Sequence, residues 1–282
     1  FVIDEFAVGP RAPADIVVVM DDSAGMIPTQ FEVSSRAVDF VAPLEGSGFR
    51  LGLITTDADT GPPGTLRPLP DGADWIDDTL DDPIAAFQSL VLVGQDGSPT
   101  EQGLAALYAM LGPFAPPVTE SFLRDEADLH VLVVSDEPDQ SVALPTEDYA
   151  TWLRSVKPPE RDVTLSSFVD PEMDAGYAAV TAALGGVRHD LTADDAAWDE
   201  AVQAFTATAL GRDRARRFTL SAQPVPATLR VTTVRDTGAA QPLEIRFDDD
   251  EYTYDAVANE VSFVVFVPDP GDLVRVRYER AP

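Results

Sequence analysis

The stretch DIVVVMDDSAGM, Asp15–Met26, decides the fold. Its apolar run from Ile16 to Met20 is unbroken, then stops at two aspartates, a serine and a glycine. Continuous apolarity of this kind suits a strand buried on both faces, because helices cover the two sides of a parallel sheet. Three further runs repeat the pattern: RLGLIT (Arg50–Thr55), LHVLVVS (Leu129–Ser135) and VTLSSFV (Val163–Val169). Between and after them lie segments with apolar residues three and four apart, which predict helices over Pro28–Val41, Glu101–Leu111, Glu147–Val156, Asp174–Leu184 and Ala193–Leu210. The alternation predicts an α/β fold, a Rossmann-like, doubly wound and mostly parallel sheet.

Outward from this core the character changes. Asp57–Pro83 is rich in Gly, Pro and Asp and reads as a long, solvated surface excursion. GRDRARR (Gly211–Arg217) is the basic cluster of the chain, with Arg212, Arg214, Arg216 and Arg217 expected to pair with neighbouring carboxylates. Beyond it, FTLSA, TLRVTTV, LEIRF, YTYDA, VSFVVFV and LVRVRYE are short alternating runs separated by turn residues. They predict a second, smaller all-β, sandwich-like domain over residues 217–282, after an α/β domain over 15–211. Residues 1–14 form an N-terminal extension whose FVIDEF is a candidate strand of the β-domain.

With 19 basic against 49 acidic residues, the 282-residue chain carries a formal charge of -30. Nucleic acid and anionic membrane surfaces are repelled by such a face. Carboxylates on this scale solvate a surface, and some of them suit hard cations that prefer oxygen ligands. No cysteine is present, which removes disulfides, thiolate metal sites and thiol chemistry. No apolar run approaches the roughly 18 residues that a membrane-spanning helix needs. The chain begins at Phe1, and the expectation is that an export signal precedes it and is removed.

Asp21 and Ser23 follow the first strand directly. A carboxylate with a hydroxyl two residues later can face one point from a tight turn, which a hard dication can use. The same pair also serves as an ordinary helix cap. DIVVVMDDSAGM resembles the opening of von Willebrand factor A domains, in which a strand delivers a D-x-S-x-S motif to the C-terminal edge of a parallel sheet. Gly25 stands where that family has its second serine. GSPTEQGL (Gly97–Leu104) is similar to the family's second metal loop, with Ser98 at the threonine position and Thr100 as the alternative. The apolar strand of LHVLVVSDEPDQS (Leu129–Ser141) ends in Asp136, which matches the family's aspartate at the end of its central strand.

The resemblance covers nearly the whole chain and extends to bacterial exported or surface-attached proteins with a C-terminal β-module. It implies a MIDAS-like site in which Asp21, Ser23, Ser98 and Asp136 hold Mg²⁺ or Ca²⁺, with Mn²⁺ also suited, and Asp22 or water compensates for Gly25. It further implies cation-dependent, adhesion-type protein binding at the surface or outside a bacterial cell, with an acidic side chain of the partner completing the coordination. The alternative is a structural subunit of a surface layer, filament or phage-like particle with a degenerate site. A metal-assisted hydrolase is the third reading. Hydrolysis by an activated nucleophile is disfavoured because His130 and His189, the two histidines, lie in a strand and near a helix start, without a nucleophile-elbow motif.

Overall fold

The computed structural model describes residues 1–59, 61–113, 115–212, 214–239 and 241–281. Of the basic cluster, the side chain of Arg214 lies outside the described residues. The chain forms two compact units, Ala12–Leu210 and a second made of Phe1–Arg11 with Gly211–Pro282.

After β1 (Val2–Ala7), which belongs to the second unit, the α/β unit is built on β2 (Ala14–Met20), β3 (Arg50–Thr55), β4 (Ile76–Asp77), β5 (Asp128–Ser135), β6 (Val163–Val169) and β7 (Arg188–Asp190). They form one sheet in the order β4-β3-β2-β5-β6-β7, parallel except for β4. Numbered within the unit this is 3-2-1-4-5-6, the doubly wound α/β order. The strand order reverses between β2 and β5.

The unbroken apolar runs are explained by two cores, one on each face. Along β2, Ile16, Val18 and Met20 enter one core, while Val17 and Val19 enter the other. Along β5, Leu132 and Val134 join the first, and Leu129, Val131 and Val133 join the second. The first core is closed by α1 (Ile27–Ser35), α2 (Ala37–Val41), α3 (Pro83–Leu90) and the C-terminal helix of the unit, through Val33, Phe40, Phe87, Trp198, Val202 and Phe205. The second is closed by α4 (Gly103–Leu111), α5 (Pro117–Phe122), α6 (Thr146–Ser155) and α7 (Tyr177–Leu184), while α8 (Asp195–Ala209) is the C-terminal helix on the first face. Each side chain withdrawn from water in this way contributes about 1.5–3 kcal/mol before the cost of ordering the chain.

Several elements differ from the sequence expectation for local reasons. The helix expected over Pro28–Val41 breaks at Arg36, where Ser35 Oγ returns to the carbonyl of Glu32 and competes with the helical ladder. Arg36 itself is turned to Asp195 and Asp199 of α8. The excursion over Asp57–Pro83 contains the short strand β4, and its acids are partly spent on turns: Asp57, Asp71 and Asp77 each accept the backbone N–H two residues on. Helices α3 and α5 and strand β7 are too short for periodicity to reveal. Asp82 caps α3 by accepting from the Ala85 N–H, with Pro83 in its first turn.

The second unit holds β1 together with β8 (Arg217–Thr219), β9 (Arg230–Arg235), β10 (Leu243–Arg246), β11 (Tyr252–Asp255), β12 (Glu260–Phe263) and β13 (Leu273–Tyr278). Two antiparallel sheets, β1-β13-β9-β10 and β11-β12-β8, share a core that includes Phe218, Val231, Val261, Phe263, Val274, Val276 and Tyr278. β1 pairs with β13 along its whole length, and the Tyr278 hydroxyl donates to Asp4 at 2.8 Å.

Candidate metal centre

The carboxyl ends of β2 and β5 are the topological switch point of the sheet, the crevice where ligands of open α/β sheets gather. Asp21 follows β2 and is fully buried. Its Oδ1 accepts the Ser23 N–H at 2.8 Å, which turns the chain sharply after the strand. Its Oδ2 accepts the Ser135 hydroxyl at 2.6 Å, so the last residue of β5 fixes the carboxylate from the neighbouring strand. Ser23 is buried with its hydroxyl oxygen unpartnered.

Three other loops close on this turn. The Thr56 N–H donates to the Met20 carbonyl, and the Thr56 carbonyl accepts from Gln102. The Gly97 N–H donates to the Asp22 carbonyl. The approach is close enough that a β-carbon at Gly97 would lie 2.3 Å from Asp22 Oδ1, so a glycine is required there. Gln140 donates to the Glu101 carbonyl, tying the loop after β5 to the loop before α4. The start of α4 is capped from outside itself, by Asp139 Oδ1 accepting from the Leu104 N–H and Ser141 Oγ accepting from Ala105.

The predicted residues fare differently. Asp21, Ser23 and Asp136 come together: a β-carbon at Gly25, within the Asp21 turn, would lie 3.2 Å from Asp136 Oδ2. Asp22 lies against Gly97 with Oδ1 buried and unpartnered. Ser98 is buried, but its hydroxyl donates to Asp59 Oδ2 at 3.0 Å instead of standing free as that of Ser23 does. Thr100 contributes its backbone N–H to Ser98 Oγ. Gly25 has φ +128°, a conformation that side chains rarely adopt, which explains why no second serine stands there.

Two residues carry signals that sequence reasoning missed, Thr56 and Glu101. Both are fully buried, and Thr56 Oγ1 and the carboxylate of Glu101 have no hydrogen-bond partner beyond each other. Glu101 was expected to open a helix, where an acid complements the dipole in solvent. The helix begins instead at Gly103, leaving Glu101 in the loop with its side chain inward. Asp59 was legible only as one acid of the excursion.

The electrostatics are of one sign. Burial pushes Glu101 up to about 8 against the pull of a hydrogen bond from Thr56, and the charges of Asp21, Glu137 and Asp22 add to the rise. Burial, followed by Asp21 and Glu137, raises Asp136 above the usual carboxylate range. Burial and then Asp57 raise Asp22. Asp139 is raised by burial, against the pull of its hydrogen bonds to Ser141 and Leu104. Among the described residues, no three histidine, cysteine, aspartate or glutamate side chains converge tightly enough to hold a metal by themselves. The donor set is therefore mixed, with the hydroxyls of Ser23 and Thr56 set among the carboxylates. The orphaned oxygens around Asp21 are Asp22 Oδ1, Ser23 Oγ and Asp136 Oδ1, with Thr56 Oγ1 and the Glu101 carboxylate partnered only by each other. Buried polar atoms are normally satisfied, and a set composed only of oxygens suits a hard dication.

The histidines are placed elsewhere. His130 Nδ1 lies 2.9 Å from Thr164 Oγ1 within the sheet, and His189, on β7, packs against the rings of Phe168 and Trp198.

No family model matches the chain, and no curated protein matches its sequence. Among solved structures it is similar to proximal thread matrix protein 1 from the mussel byssus. One such structure is 12% identical, with a TM-score of 0.45 over 77% of this chain and 52% of that one. A second, described as having a zinc-occupied MIDAS motif, is 12% identical with a TM-score of 0.46 over the same shares. A third is 16% identical, with a TM-score of 0.45 over 78% of this chain and 51% of that one. The chain spans about half the length of these structures' chains.

Proposed function

We propose that the α/β unit is a divalent-cation-dependent protein-binding module, of the adhesion type that the A-domain resemblance implies. The observation that carries this is the group of buried oxygens without partners around Asp21, at the switch point of the sheet. A buried carboxylate without a hydrogen bond or counter-charge is costly, and a cation offsets that cost. Asp21 and Ser23 would hold Mg²⁺ or Ca²⁺ directly, with Asp136 reaching it through water and Ser98 ordering the adjacent loop through Asp59. When bound, the ion supplies a local positive charge on a chain of formal charge -30, and so an attachment point for an acidic side chain of a partner. Asp21 is held for this work by Ser135 and the Ser23 N–H, which preset its carboxylate.

The placement of this module outside the cell, and of the chain in a bacterium, belongs to the same proposal. No helix among the described residues is long and apolar enough to cross a membrane. The reading favours binding over hydrolysis by a histidine-activated nucleophile because both histidines lie away from the cluster.

The test is calorimetric titration of Mg²⁺ and of Ca²⁺ into the wild-type chain and into Asp21→Asn and Ser23→Ala. Saturable binding by the wild type, weakened at least about tenfold in Asp21→Asn, supports the site; this is the low end of what even an outer-shell partner costs. Equal heats from wild type and both variants would place the ion elsewhere and sink the proposal.

A further inference from the structure

Resting on the cation reading above, we infer that Glu101 is an inner ligand of the ion and takes the coordination place that the glycine at position 25 leaves without a hydroxyl. Glu101 is fully buried, and its carboxylate has no hydrogen-bond partner other than the neighbouring Thr56 hydroxyl. Its backbone is held on both sides: its carbonyl accepts from Gln140 at 2.7 Å, and the next N–H, of Gln102, donates to Thr56 at 3.1 Å. The residue is thus stapled between the loops that follow β3 and β5. Its side chain meets the charges of Asp21, Glu137 and Asp22, and the Thr56 hydroxyl lies beside it.

Among the described residues, no lysine or arginine pairs with this group. Ion pairs among the described residues of the α/β unit include Arg36 with Glu32, Asp195 and Asp199, Arg124 and Lys157 with Asp15, and Arg188 with Asp174. All of these acids lie outside the cluster. A carboxyl group buried beside other carboxylates is costly to ionise, and a cation held at the same point offsets that cost. The turn geometry supplies the other half of the inference. Position 25 cannot carry an oxygen-bearing side chain without strain, because its φ is +128° and its β-carbon would crowd Asp136 Oδ2. A protein donor in its place can come from another loop, and Glu101 is buried there with no partner but the Thr56 hydroxyl. The exchange replaces a neutral hydroxyl by a carboxylate, so the site holds its cation more through charge, and ligand charge count is one determinant of affinity for calcium.

The experiment titrates Ca²⁺ and Mg²⁺ into the full chain as wild type, Glu101→Gln and Glu101→Asp, by calorimetry, with the unfolding temperature measured in chelator and in each ion. Glu101→Gln is expected to lose at least about tenfold in affinity and most of the ion-dependent rise in unfolding temperature. Glu101→Asp, whose carboxylate is withdrawn by one methylene, is expected to fall between the two. Wild-type affinity in Glu101→Gln would overturn the assignment while leaving the cation site standing. A wild type that binds neither ion would overturn the cation reading, and this assignment with it. Should Glu101→Gln not show the wild-type circular dichroism in chelator, Glu101→Asp decides: unchanged affinity there overturns the assignment.

Discussion

Placing at position 25 the serine that the A-domain resemblance calls for is the sharpest test of the turn after β2. Gly25 sits at φ +128°, and a β-carbon there would approach Asp136 Oδ2 to 3.2 Å. A non-glycine residue held in such a region costs about 1–3 kcal/mol, and the crowding requires the Asp136 carboxylate to give by a few tenths of an ångström. Taking about 2 kcal/mol, and a urea m-value of about 2 kcal/mol/M, the midpoint of unfolding of Gly25→Ser falls by about 1 M. For a unit of this size the unfolding temperature falls by roughly 4–8 °C. The added hydroxyl does not tighten cation binding, because reaching its place displaces Asp136. Urea denaturation in chelator, with calorimetric titration of Ca²⁺, measures both. A Gly25→Ser chain as stable as wild type that binds Ca²⁺ more tightly would refute the reasoning, since the turn would then tolerate the serine and the site would lack only its oxygen.

Two predictions concern the opposite end of the sheet. Asp15, fully buried at the start of β2, accepts from Lys157 Nζ at 2.7 Å and from Arg124 Nε at 2.9 Å, so Asp15→Ala strands two cations and is expected to cost about 3–5 kcal/mol in urea unfolding. Cation affinity, measured on the folded variant, should stay at the wild-type value because Asp15 and Asp21 lie at opposite ends of the strand; a loss of stability below about 1 kcal/mol would show the triad to be dispensable. His130 is lowered from 6.5 to about 4 by burial and then by the charge of Lys157. The unfolded chain therefore takes up this proton below pH 6.5 while the folded chain does not until about pH 4, so the contribution is complete above pH 6.5 and is lost as pH falls through that window. The difference, about 3 kcal/mol, should appear as a steeper acid loss of stability in the wild type than in His130→Gln, and parallel pH profiles for the two would contradict it.

The division of labour between sequence and structure follows from the range of the interactions. Strands β2, β3, β5 and β6 and the long helices were legible because burial on two faces leaves a local, periodic trace in residue type. Asp21 and Ser23 were legible for the same reason, since a turn at the end of a strand is a property of neighbouring residues. The alternation along β2, with Ile16 and Val18 facing one core and Val17 and Val19 the other, is likewise contained in the run itself. Short elements such as β7 carried too few residues for a period. Four features needed tertiary structure: the order 3-2-1-4-5-6 that puts β2 beside β5, the transfer of Ser98 to Asp59, the positive φ that keeps position 25 a glycine, and the burial of Glu101. Each depends on residues tens of positions apart meeting in space. A glutamate before a helix has the same local sequence whether it points to water or, as here, into a cluster of like charges, and only the packing of three loops around it decides which.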